Sequence, residues 1–157
     1  MVFVLFVCLG NICRSPTAEG VFGQMVKKHG MSDRISIDSA GTGDWHVGNP
    51  PDQRAIDAAL NRGIDIRHLC ARRISSSDFF KFDYILAMDR QNLNSLKRDC
   101  PGSFDGHLGL FLEFLGRNNF YDVPDPYYSQ NEGFELVLDL ISEAGENFFQ
   151  HIVKHHL

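Results

Sequence analysis

Residues 2–16 read Val2-Phe3-Val4-Leu5-Phe6-Val7-Cys8-Leu9-Gly10-Asn11-Ile12-Cys13-Arg14-Ser15-Pro16. Val2 to Val7 is a continuous β-branched, aliphatic and aromatic run. Such a run predicts a strand buried on both faces, as in a parallel sheet, where strands lose the in/out alternation of a half-exposed one. A turn-like stretch follows, and Ser15-Pro16 suggests an N-cap with proline at the first helical position. From there Ala18, Val21, Phe22, Met25 and Val26 recur at helical spacing until Gly30. Outward from this unit, Ile35–Ser39 and Tyr84–Met88 are expected as strands. Asp52–Arg62 (ending at Gly63), Gln91–Arg98 and Glu132–His155 are expected as helices. Leu108–Leu115 is apolar and ambiguous, with a strand favoured near Leu110–Leu112. Strands alternating with helices predict a three-layer αβα domain around a short parallel sheet. The stretch Leu115–Glu132, rich in Asn, Asp, Pro and Tyr, reads as a long loop of the kind that carries function. No repeat or linker divides the chain, so residues 1–157 are expected to form a single domain.

The 157 residues are 43% hydrophobic and 22% charged, which argues against a disordered or fibrous chain. Fifteen Lys+Arg against twenty Asp+Glu leave a net charge of −5. That is unfavourable for nucleic-acid binding through bulk electrostatics, though not for holding an anion at one site. The opening apolar run is too short to span a bilayer and lacks the basic leader of a secretory signal. A cytoplasmic protein with no membrane or nucleic-acid partner is therefore expected. The four cysteines, at 8, 13, 70 and 100, form no C-x-x-C pair, which disfavours structural disulfides and zinc.

The chemistry is concentrated in Cys8–Ser15, where a cysteine is followed six positions later by arginine and then by a hydroxyl residue. A tight loop at a helix N-terminus turns backbone N–H groups inward and adds the positive end of the helix dipole, making a cradle for a tetrahedral oxyanion. Leu9, Gly10, Asn11, Ile12, Cys13, Arg14 and Ser15 would form that cradle. Gly10 and Asn11 tolerate the left-handed backbone a closed ring requires. Arg14 can offer a planar fork to two phosphoryl oxygens. Cys8 would lie at the bottom, where the same N–H groups and Arg14 favour its thiolate, with the Ser15 hydroxyl a further candidate donor.

VCLGNICRSPTAE at 7–19 resembles the active-site signature of low-molecular-weight protein tyrosine phosphatases. The similarity continues through SAGTGDWHVG at 39–48, FDYILAMD at 82–89 and DPYY at 125–128, covering essentially the whole chain in the family's order. The resemblance implies a four-stranded parallel sheet, no metal or other cofactor, and a phosphocysteine intermediate on Cys8. The implied substrates are phosphotyrosine proteins or small aryl phosphates, with inorganic phosphate as product and inhibitor.

Departure of a phenolate, the base of an acid with a pKa of about 10, calls for a proton donor. Asp125, clamped between Pro124 and Pro126, is the candidate, because those rings stiffen the loop that must carry it over the pocket. The resemblance implies that Asp125 then acts as base on the water that hydrolyses the phosphocysteine. It also places Trp45 and Tyr127 at the pocket rim, as a slot for a flat ring. Tyr128 is open between a rim residue, a phosphorylation site and a packing residue. Cys13 reads either as a small apolar filler of the loop or as a cysteine that closes a disulfide with oxidised Cys8 and so blocks irreversible oxidation; the resemblance favours the second. Asn11, Ser15, Ser39 and His68 match a hydrogen-bonded network that braces the loop, although the altered spacing of IRHLCARR at 66–73 can instead put Leu69 at the histidine position. Asp89 either binds the signature loop or caps the next helix. Cys70 and Cys100 read as structural thiols, and the histidines at 151, 155 and 156 as a solvated helix end. Competing readings are an arsenate reductase, which would need a closely spaced downstream cysteine pair, and a phosphate-binding module without catalysis.

Overall fold

The computed structural model describes residues 1–116 and 122–157, so five residues of the predicted 115–132 loop, 117–121, lie outside the described part. Four strands form one all-parallel sheet in the order β2-β1-β3-β4: β1 (Val2–Cys8), β2 (Ile35–Gly41), β3 (Tyr84–Ala87) and β4 (His107–Leu110). The helices are α1 (Arg14–Lys28), α2 (Gln53–Leu60), α3 (Asp78–Lys81), α4 (Arg90–Asp99) and α5 (Asn131–His156). The alternation of β1 builds both halves of the core. Val4, Phe6 and Cys8 face a cluster with Val21 and Phe22 of α1, Ala55 and Ile56 of α2, and Ile141 and Phe148 of α5. Leu5 and Val7 face the opposite cluster, with Phe79 of α3 and Leu96 of α4. Both faces are covered, which is why β1 carries no polar residue before its end.

β1 is central, with β2 on one side and β3 on the other. The chain leaves β1 toward α1 on one face and leaves β3 toward α4 on the opposite face. The carboxyl end of β1 is therefore the switch point of an open parallel sheet, where a crevice opens between diverging connections. Residues 8–15 sit there.

Two expectations shift. The last strand is His107–Leu110, and Phe111–Leu115 turns into a 3-10 helix instead of continuing it. Phe111, Leu112 and Leu115 are buried at helical spacing in the same cluster as α5, a pattern that an unbroken apolar run does not distinguish from a strand. Second, α1 is capped at Cys13 and begins at Arg14, so Ser15-Pro16 falls inside its first turn. Proline is tolerated there because that N–H has no partner within the helix. The Ser15 hydroxyl is consequently not a cap and is released for the site. The short α3 had no counterpart in the sequence reading.

Candidate active site

The loop leaving β1 wraps around the Cys8 sulfur. The Asn11 N–H points at Cys8 Sγ at 3.2 Å, and Ser15 Oγ lies 3.0 Å from it. Asn11 is the only non-glycine residue with positive φ (+57°) among the described residues. Asparagine reaches this left-handed state at lower cost than most side chains. The loop carbonyls bond outward: Cys8 O accepts from Thr42 N, Leu9 O from Gly43 N, Ile12 O from Asp52 N and Cys13 O from Thr17 N. Gly41 permits the close approach to β2, since a Cβ there would stand 2.7 Å from Leu9 O.

Arg14 is buried and answers to two separate carboxylates. Its Nη1 donates to Asp89 Oδ2 at 2.6 Å and to Val123 O at 3.0 Å, while Nη2 lies 3.7 Å from Asp125 Oδ2. Burial opposes its charge, but Cys8, Asp89 and Asp125 outweigh burial and raise its pKa further. Asp89 performs both roles that the sequence left open, because Oδ1 accepts from Asn92 N at 2.7 Å as the cap of α4 while Oδ2 holds Arg14. Val123, fully buried, also donates its N–H to Met88 O at 2.7 Å, tying the Asp125 loop to the end of β3. Asp125 is half-exposed, with Oδ1 accepting from Tyr127 N at 3.1 Å. Asp122 is engaged elsewhere: Oδ1 accepts from Arg90 N at 2.9 Å and the two side chains form an ion pair.

These groups line a cavity of about 390 Å³ with Cys8, Leu9, Gly10, Ile12, Cys13 and Arg14 along its floor and Trp45, His46, Asp125, Tyr127 and Tyr128 around it. Trp45 covers Gly43, where a Cβ would lie 1.9 Å from the indole, so the Gly-rich stretch makes room for the ring. Trp45 and Tyr128 are largely exposed; Tyr127 is less so, its ring meeting that of Tyr128 edge-on at 5.0 Å. One rim residue, His46, and one residue that holds the rim from behind, Arg54, escaped the sequence reading. His46 packs near Gly10 and lies 6.3 Å from the Tyr127 ring; its position beside Trp45 was the available signal. Arg54 donates to Tyr127 O at 2.9 Å and Ser129 O at 3.2 Å, and stands 5.6 Å over the Tyr127 ring. It is aimed by Asp52, which also caps α2. Nothing in the local sequence marks a residue that acts across 73 positions.

Behind the loop, Asn11 Nδ2 donates to Ser15 Oγ at 2.7 Å and to Ser39 Oγ at 3.0 Å, and Asn11 Oδ1 accepts from Arg72 N at 3.0 Å. Asn11, Ser15 and Ser39 are hydrogen-bonded together, and His68 does not join them. His68 is exposed and lines a separate cavity, while the half-buried Leu69 packs against the core. The segment is registered by Arg72, whose N–H holds Asn11 and whose carbonyl accepts from Gly41 N. In the segment so held, Leu69 packs against the core and His68 stays exposed. The remaining partner of Ser39 is Glu19, not singled out from the sequence: Ser39 Oγ donates to Glu19 Oε1 at 2.7 Å. Cys13 is buried in the loop; burial first, then Asp52 and Cys8, push its thiol pKa well above the usual range. Cys70 is exposed rather than packed, and Cys100 packs at the other cluster, so these two supply no paired dithiol.

A strand-to-helix loop closing on a cysteine, with a buried arginine and a loop aspartate at the crevice of a parallel sheet, is an arrangement suited to holding a phosphoryl group. Residues 3–156 match the family described as low molecular weight phosphotyrosine protein phosphatase. The chain is 42% identical over 154 residues to the low molecular weight protein-tyrosine-phosphatase YfkJ of Bacillus subtilis, covering 98% of this chain and 97% of that protein. It is 46% identical over 150 residues to the Schizosaccharomyces pombe low molecular weight phosphotyrosine protein phosphatase, covering 95% and 96%. The Entamoeba histolytica protein tyrosine phosphatase, solved with Hepes in its active site, superposes with a TM-score of 0.94 at 37% identity over the full length of both chains. The chain belongs to this family and is a protein tyrosine phosphatase of the low-molecular-weight type.

Proposed function

We propose that residues 1–157 act as one catalytic domain that hydrolyses phosphotyrosine, and small aryl phosphates, in two steps through a phosphocysteine. The observation that carries this reading is the convergence on Cys8 Sγ of the Asn11 N–H and the Ser15 hydroxyl, on the floor of a cavity that Arg14 and Asp125 also line. The thiolate attacks phosphorus and the P–O(aryl) bond breaks. With its carbonyls bonded outward, the loop meets the phosphoryl oxygens with its amides, and Arg14 adds two N–H groups in one plane. Asp89 holds that plane in place. Asp125 gives its proton to the departing phenolate, then takes one from the water that attacks phosphorus and releases Cys8 and inorganic phosphate. Trp45 and Tyr127 flank the substrate ring, which favours an aryl over an alkyl leaving group. No metal or other cofactor has a role in this scheme. The site serves substrate proteins or small aryl phosphates rather than nucleic acid or membrane, in the cytoplasm, and among the described residues no helix is long and apolar enough to cross a membrane.

Phosphate release from an aryl phosphate, with and without a chelator, tests the reading. Cys8→Ser is expected to abolish turnover while retaining inorganic phosphate binding, because the cradle is mostly backbone. Substantial residual hydrolysis in that variant would remove the covalent step.

A further inference from the structure

A second cavity, of about 550 Å³, opens among α1, β2 and the segment 63–69. Glu19 and Gly20 of α1, Ile35 and Ile37 of β2, and Asp65 and His68 are among the residues lining it. Glu19 also belongs to the loop's own bonding. With that carboxylate ionised, each hydrogen in the chain has one direction. Ser39 has a single hydroxyl proton and gives it to Glu19 Oε1, so its lone pairs meet Asn11 Nδ2. The Asn11 amide cannot flip, because Arg72 N–H already donates to Oδ1. Its second Nδ2 hydrogen goes to Ser15 Oγ, which leaves the Ser15 proton facing Cys8 Sγ at 3.0 Å in preference to Ala40 O at 3.5 Å. Three intervening side chains therefore connect the carboxylate to the sulfur, and the middle one is the left-handed residue of the loop.

We propose that Glu19 is a positioning residue of the phosphate loop, whose carboxyl orients Ser39 and Asn11 and whose charge state sets how tightly the loop holds an anion. This rests on the reading of residues 8–15 as a phosphate cradle. The groups that face Glu19 make its charge variable. Asp38 on β2 repels it, and Arg72 is already bonded to Asp38 and Asp78. Lys27 of α1, Asp65 and His68 stand around the open cavity. Burial is the main cause and Asp38 a further one, opposed by the Ser39 hydrogen bond and Arg72, and together they push the Glu19 pKa up to about 7. Above neutrality a negative charge stands behind a loop built to bind negative charge. Below neutrality that repulsion is gone.

The test reads binding, not turnover, so it is independent of the catalytic scheme. Inorganic sulfate keeps a constant charge between pH 5 and pH 8, and its dissociation constant can be followed from loop amide shifts. In the wild type, affinity is expected to fall about three- to tenfold from pH 5.5 to pH 8, the size of a like-charge interaction across the protein interior. Glu19→Gln keeps an acceptor for Ser39 but cannot ionise, and should lose most of that fall. His68→Gln should keep it. Glu19→Ala, uncharged but without the acceptor, should bind sulfate more weakly than Glu19→Gln at every pH. By reciprocity, saturating sulfate should raise the midpoint of the Glu19 carboxyl resonance in the wild type by 0.5–1 unit, about the same three- to tenfold factor. An unchanged pH profile in Glu19→Gln, or a Glu19 midpoint indifferent to sulfate, overturns the proposal.

Discussion

The two loops that meet over Cys8 are built on opposite plans. The phosphate loop, residues 8–15, is contiguous and, apart from the exposed Leu9 and the half-buried Gly10, buried; Arg14 has 4% side-chain exposure, and the side chains of Asn11 and Ser15 are both hydrogen-bonded. The acid loop, residues 122–130, is mostly exposed, with the Asp125 side chain 44% accessible and Val123 and Pro126 buried. It is held at a few points by distant residues: Met88 through Val123, Arg90 through Asp122, and Arg54 through Tyr127 and Ser129. The contrast matches the two tasks. Stabilising charge in a transition state needs dipoles fixed beforehand, because reorienting them would cost what they return. Delivering a proton and admitting a ring need a carboxyl that solvent and substrate can reach.

The contrast separates the two aspartates of the acid loop most sharply. Asp125→Asn is expected to slow the burst of released phenol from phosphotyrosine by about 10²–10⁴, with a much smaller loss for aryl phosphates whose leaving group is a weak base. Asp122→Asn should change little, since that carboxylate is spent on Arg90. A larger defect in Asp122→Asn would reverse the assignment.

On the phosphate-loop side, the support from Glu19 has a thermodynamic signature. Its folded-state pKa of about 7 lies above the ordinary 4.5, so the folded chain holds this proton more tightly than the unfolded one. The resulting stabilisation is complete below about 4.5 and is lost as pH rises through about 7. Glu19→Gln should therefore gain on wild type by about 2–3 kcal/mol between pH 5 and pH 8 in denaturant titrations. A constant difference between the two proteins would count against a charged Glu19 in the fold.

A smaller effect is expected where the acid loop is tethered. Arg54→Met keeps an unbranched side chain but loses the guanidinium that lies over the Tyr127 and Phe134 rings and its hydrogen bonds to Tyr127 O and Ser129 O. The KM for an aryl phosphate should rise about three- to tenfold, the worth of one or two such bonds, with kcat nearly constant. A loss confined to kcat would mean that Arg54 serves Asp125 rather than the rim. The least change in rate is expected from Cys13→Ser before oxidation. After hydrogen peroxide, thiol treatment should restore the wild type through a Cys8–Cys13 disulfide and should restore Cys13→Ser to less than about half, because only the wild type can leave the oxidation ladder at its reversible step. Equal recovery would make Cys13 a bystander, and its raised thiol pKa already predicts that the disulfide closes slowly.

What the amino-acid order determined was whatever is local or periodic. A doubly buried strand, a turn and a helix in the 27 residues from Val2 to Lys28 point to a parallel sheet with a loop suited to an anion at its switch point. Cys8, Asn11, Arg14 and Ser15 could be assigned together because one turn of chain must bring them together. Asp125 stood out through its flanking prolines and the family resemblance together, and the fold puts it in the lining of the cavity. Tertiary structure alone decided the partners that meet from far apart in sequence: Asp89 and Val123 on Arg14, Asp122 on Arg90, Arg54 on the rim, Glu19 on Ser39. It also decided between His68 and Leu69, since a loop of irregular backbone has no period from which to read which side chain turns inward. There the facing direction is set by where the chain is next anchored, and that anchor is the Arg72 N–H on the Asn11 side chain, 61 residues away.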